Sequence, residues 1–144
     1  MSDPLKIMGR SPEEVTILSG LLQDTTVRVG DIAWLAEEHR FAFVGNRFRW
    51  EKKRRFLRPK GERVRTGFHM NGILEAKLHG IDLSQKDEVL ALLDIEAHEN
   101  GDDFFILINF ADGKGIRLKA ECIEAMLSDL SDDWEALARP HHDA

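Results

Sequence analysis

The chain has 144 residues, 42% of them hydrophobic and 32% charged, with a formal net charge of −6. That length suits one domain with its own core and excludes a large multi-domain enzyme. A single cysteine, Cys122, excludes an intramolecular disulfide framework and any multi-cysteine zinc or iron–sulfur site. No apolar run approaches the length needed to span a bilayer, and the N-terminus lacks the basic start and apolar core of a secretion signal. The expectation is a soluble cytoplasmic domain with no membrane span.

In chain order, Leu5-Lys6-Ile7-Met8 reads as a short strand. Ser11-Pro12-Glu13-Glu14 then opens a helix: Ser11 caps it, Pro12 sits where its missing N–H costs nothing, and Glu14 completes a capping box. Val15, Leu18, Leu21 and Leu22 give that helix one apolar face, ending near Gln23. The period then changes to two. Thr26-Val27-Arg28-Val29 and Ile32-Ala33-Trp34-Leu35 flank Gly30-Asp31, forming either one bulged strand or two short ones.

From Arg40 to Trp50 the pattern alternates. Ala42, Val44, Asn46, Phe48 and Trp50 share one face, on which core packing is expected for Phe48 and Trp50; Phe41, Phe43, Arg47 and Arg49 share the other. Three hairpins are then predicted. Asn71-Gly72 joins strands near 64–70 and 73–79, Asn100-Gly101 joins 89–98 to 104–110, and Asp112-Gly113 leads into 116–120. Leu93, Ile95 and Ala97 are expected to face inward on the 89–98 strand.

Ile123, Met126, Leu127 and Leu130 recur at helical spacing opposite Glu121, Glu124, Ser128 and Asp129, predicting a closing C-terminal helix with Trp134 packed just beyond it. Residues 1–138 then make a single α+β domain, and 139–144 a flexible tail. The architecture expected is about seven antiparallel strands in hairpin order, forming a bent sheet or partial barrel, with an N-terminal helix and a C-terminal capping helix. This order resembles pleckstrin-homology-like domains, a likeness of topology that implies no function.

The net charge conceals a sharp division. Residues 47–65 hold ten basic and two acidic side chains; residues 1–46 hold four and seven, and residues 66–144 hold six and seventeen. The ten are Arg47, Arg49, Lys52, Lys53, Arg54, Arg55, Arg58, Lys60, Arg63 and Arg65. One alternative is that they are solvated or paired with the chain's own acidic surface. The other is a contact site for an anion or a partner. Phe48, Trp50 and Phe56 interleave with the charges as stacking platforms do in single-strand nucleic-acid binders, although the overall negative charge weakens attraction to a polyanion.

Other chemistry finds little support. The six histidines form no helical zinc motif; Glu96 and His98 are spaced to offer two ligands from one strand face, and such pairs are common on solvent faces. No nucleophile elbow, phosphate-binding glycine loop or twelve-residue calcium loop is present. Cys122 is expected to be a buried structural cysteine at the start of the last helix, since Glu121 and Glu124 oppose thiolate formation. Arg117 is expected to face outward and meet Glu121 or Glu124. No cofactor, metal or catalytic residue is assigned.

Three strings are distinctive together: Leu22-Gln23-Asp24, Asn46-Arg47-Phe48-Arg49-Trp50-Glu51, and Ile116-Arg117-Leu118-Lys119-Ala120-Glu121-Cys122-Ile123-Glu124. They resemble an alphaproteobacterial family of unknown function, with the likeness running over nearly the whole chain. The resemblance implies a small cytoplasmic bacterial protein without an assigned activity, and it supplies no site residues. The leading functional expectation is a non-catalytic interaction module whose basic loop contacts an acidic protein surface or a second copy of itself. An RNA-contacting accessory protein is the alternative, and an enzyme of unknown chemistry is third.

Overall fold

The computed structural model describes residues 5–48 and 63–130. Trp50, the basic connection from Arg49 through residue 62, Trp134, His141-His142 and the tail at 139–144 lie outside the described residues.

Strand β1 (Lys6–Gly9) leads into helix α1 (Pro12–Leu22). The Ser11 hydroxyl accepts from the Glu14 N–H at 3.2 Å, satisfying a donor that the first turn leaves open, and the Glu14 carboxylate accepts from the N–H of Arg10, the residue before the cap, at 2.6 Å. Val15, Leu18 and Leu22 are buried, each burial worth about 1.5–3 kcal/mol. The helix packs mainly on β5 (Val89–Asn100), where the buried Ser19 hydroxyl accepts from the Ile95 N–H at 2.8 Å. That bond satisfies a strand N–H beyond the point where the pairing of β5 with β2 ends.

The other strands are β2 (Thr26–Leu35), β3 (Arg40–Phe48), β4 (Arg63–His79), β6 (Asp103–Phe110) and β7 (Gly115–Asp129). All pairings are antiparallel, in the order β1-β7-β4-β3-β2-β5-β6. β6 also pairs with β7, so the sheet curls back on itself into a partly closed barrel. Phe41, Phe43, Phe68, Phe110 and most of the isoleucines and leucines of β5, β6 and β7 fill its interior.

The predicted C-terminal helix is a strand. β7 runs unbroken to Asp129, with Ile116, Leu118 and Ala120 buried in its first half and Ile123, Ala125, Leu127 and Asp129 in its second. The alternation changes parity at Glu121-Cys122, and the last inward position is a carboxylate; together these conceal a period of two and leave an apparent helical stripe. Without that helix the pleckstrin-homology-like topology does not hold.

Asn71-Gly72 likewise forms no hairpin. β4 continues through it, and its pairing with β7 shifts register between Asn71 and Ile73 and again before Glu75. Gly72 has φ +75°, and a Cβ there would lie 2.6 Å from Cys122 Sγ. The glycine therefore serves a bulge, the device by which a strand bends and gains twist. The other two turns form as expected. Asn100 opposes Asp103 across Gly101-Asp102, and Asp112 and Gly113 both have positive φ, as a tight hairpin turn requires.

β2 is one bulged strand, with its register against β3 shifting between Val27 and Ile32. On β3 the buried face is Phe41, Phe43, Gly45 and Arg47, the reverse of the packing expected for Phe48. Two phenylalanines bury more apolar area than Ala42 and Val44, so they decide which face turns inward. A register shift at Leu93 similarly leaves that side chain exposed between buried Leu92 and Ile95.

Candidate functional site

β3 ends at Phe48 directly opposite Arg63, the first residue of β4. The basic segment joining them therefore leaves and re-enters the barrel at neighbouring positions on one end. Beneath that end lies a buried charge pair. Arg47, with no exposed surface, donates from Nε to Asp129 Oδ1 at 2.8 Å and from Nη2 to Oδ2 at 2.7 Å, while Nη1 donates to the Phe48 carbonyl at 3.0 Å. Two parallel bonds between a guanidinium and a carboxylate make the strong, orientation-specific form of an ion pair.

Asp129 ties together several elements. Its carboxylate accepts from the Leu5 N–H at 3.2 Å, and its own N–H donates to the Leu5 carbonyl at 2.8 Å. Thr66 opposes it on β4 and is itself fully buried. Burial alone would push the Asp129 carboxyl up; hydrogen bonds and charge from Arg47, with help from the Leu5 N–H and Thr66, outweigh it and hold the group below the ordinary carboxylate range. Arg47 is thus spent on the interior.

Arg63 is exposed. Its guanidinium lies 3.9 Å over the Phe48 ring and donates to the carbonyls of Asn46 at 2.9 Å and Asp24 at 3.3 Å. Arg65 is half-buried, and its carbonyl accepts from the Leu130 N–H at 2.8 Å. Arg49, Lys52, Lys53, Arg54, Arg55, Arg58 and Lys60 lie outside the described residues. The structure therefore brings Arg47, Arg63 and Arg65 to one barrel end in two different roles, one neutralised inside and two at the entrance to the basic segment.

Cys122 is exposed on β7, contrary to the buried position expected; partial desolvation, then Glu121 and Glu124, push its thiol up and keep it a poor nucleophile. Arg117 stacks over the Phe105 ring at 4.3 Å, a cation–π contact in place of the expected carboxylate partner. Glu96 and His98 bond to one another at 3.0 Å, and Asn109 donates to Glu96 and Asp94. The His98 bond holds the Glu96 carboxyl below its usual value; desolvation opposes it, and the Asn109 bond and the charge of His98 add to the lowering. Among the described residues no three His, Cys, Asp or Glu side chains come together to hold a metal ion. No described helix is long and apolar enough to cross a membrane.

The feature missed by sequence reasoning is Asp129. The only local signal for it is a carboxylate at an inward position of a strand, two residues past Leu127, and that signal appears only once β7 is recognised as a strand.

The described residues define a small, strand-rich fold: a partly closed antiparallel barrel with one packed helix, its β3 and β4 ends adjacent where the basic segment of the sequence joins them. The chain belongs to the DUF2948 family of proteins of unknown function, whose family model matches residues 5–142. No curated protein and no solved structure matches it.

Proposed function

We propose that this protein is a non-catalytic interaction module whose basic β3–β4 connection contacts an acidic protein surface, that of a second copy included. The observation that carries this reading is the charge division. Without the internally neutralised Arg47, residues 48–65 still hold nine basic and two acidic side chains, against six and seventeen in residues 66–144. Opposite patches on one chain suit head-to-tail association, and complementary potentials speed encounter and fix orientation. The RNA reading has less support: it needs open aromatic faces, and the Arg63 guanidinium already covers the Phe48 ring.

Sedimentation velocity at rising protein concentration, at low and high salt, tests the self-association arm. The expected result is a sedimentation coefficient that rises with concentration at low salt and falls back when salt screens the charges. A monomer at every concentration and salt would remove self-association and leave a different acidic protein as the partner.

A further inference from the structure

The outer faces of β1, β7 and β4 carry a row of side chains outside the hydrophobic core. Met8 stands directly opposite Met126, and Met126 stands directly opposite His69. All three are outward positions, because their strand neighbours Gly9, Ala125, Leu127, Phe68 and Met70 are buried. Met8 is 41% exposed, while Met126 and His69 are half-buried. Directly opposed residues of an antiparallel pair have Cβ atoms about 4.5–5.5 Å apart, so Met126 has a thioether neighbour on one side and an imidazole on the other.

Two adjacent methionines on an outer sheet face contribute little to the core, which Met70 occupies from the inward side of β4. They do assemble a distinct chemistry. Thioether sulfur is a soft, neutral donor that selects cuprous copper over zinc, calcium or magnesium, and imidazole nitrogen is compatible with it. The row continues across β4 to Ala42, which brings no competing oxygen donor.

We propose that Met8, Met126 and His69 form a surface site for a soft monovalent cation, cuprous copper being the ion that fits, with two sulfurs and one nitrogen supplied by three adjacent strands. Glu124 lies two residues from Met126 on the same strand, opposite Asn71, whose Nδ2 lies 3.5 Å from its carboxylate. Glu124 and the Arg40 guanidinium both act on His69 with opposite charges, so affinity for the cation rests on the two sulfurs and the ring nitrogen.

Exposed Cys122 would itself take up a soft cation, so the test uses the full chain carrying Cys122→Ser. Cu(I) is titrated anaerobically against a chromophoric Cu(I) chelator, with Ag(I) as a redox-inert probe followed by NMR. The expected result is one cation per chain, with the His69 ring and methionine methyl resonances shifting together on Ag(I) addition. Met8→Leu, Met126→Leu and His69→Gln should each weaken binding at least about 10–100-fold, the loss seen when even outer partners of a metal are removed. Leucine conserves the volume of methionine, so unchanged melting of those two variants separates lost ligation from lost folding. Binding that disappears with Cys122→Ser alone, or that survives both methionine substitutions, would overturn the site. Zn(II) displacing the probe from these residues would overturn its assignment to a soft ion.

Discussion

Removing either member of the Arg47–Asp129 pair leaves the other charge inside the barrel. Arg47→Met or Asp129→Leu alone should therefore cost about 3–5 kcal/mol in denaturant unfolding, whereas the double variant should recover most of that loss. A double variant whose cost equals the sum of the two would show the pair to be uncoupled. The same carboxylate sets a pH dependence. Its folded value lies below the ordinary one, so its contribution is fully present above the unfolded value, about 4, and is lost as the pH falls through the depressed folded value. Acid titration of melting temperature should show that loss in the native chain and a smaller one in Asp129→Asn. None of this was legible locally. Arg47 sits in a run of charges that reads as solvated, and its partner lies 82 residues away. A buried charge is recognisable only with its partner in view.

Elements with local punctuation were legible from the sequence. The Ser11-Pro12 start and Val15-Leu18-Leu22 face of α1, and the Asn100-Gly101 and Asp112-Gly113 turns, form where cap and turn chemistry put them. Gly30-Asp31 signalled the bulge of β2, but the irregularities of β4, β5 and β7 were not legible, because one inserted residue reverses every later inward position and period-two patterning then reads as noise. The parity break at Gly72 faces the one at Glu121-Cys122, and the two strands bend together there. Gly72→Ala should consequently destabilise by about 1–3 kcal/mol, from a left-handed backbone carrying a side chain and from contact with Cys122 Sγ. Adding Cys122→Ala should relieve the contact and leave the backbone part, read as partial recovery of the denaturant midpoint. Full recovery would mean that Gly72 is needed for space alone.

For the molecule as a whole, the barrel holds the two ends of a strongly basic segment side by side while most of the acidic residues lie elsewhere on the chain. The sequence disclosed that charge division in full; it did not disclose that Arg47 belongs to the interior or that Arg63 covers Phe48. Lys52, Lys53, Arg54 and Arg55 lie between the two strand ends, so neutralising all four to glutamine tests the segment without touching the buried pair. Affinity capture from lysate, supplemented with an untagged copy of the chain, compares the native protein with this variant at low and high salt. An acidic protein, or the untagged copy, should be retained by the native chain at low salt and lost both from the variant and on raising the salt. Retention of the same partners by both forms, or of nucleic acid alone, would contradict the account.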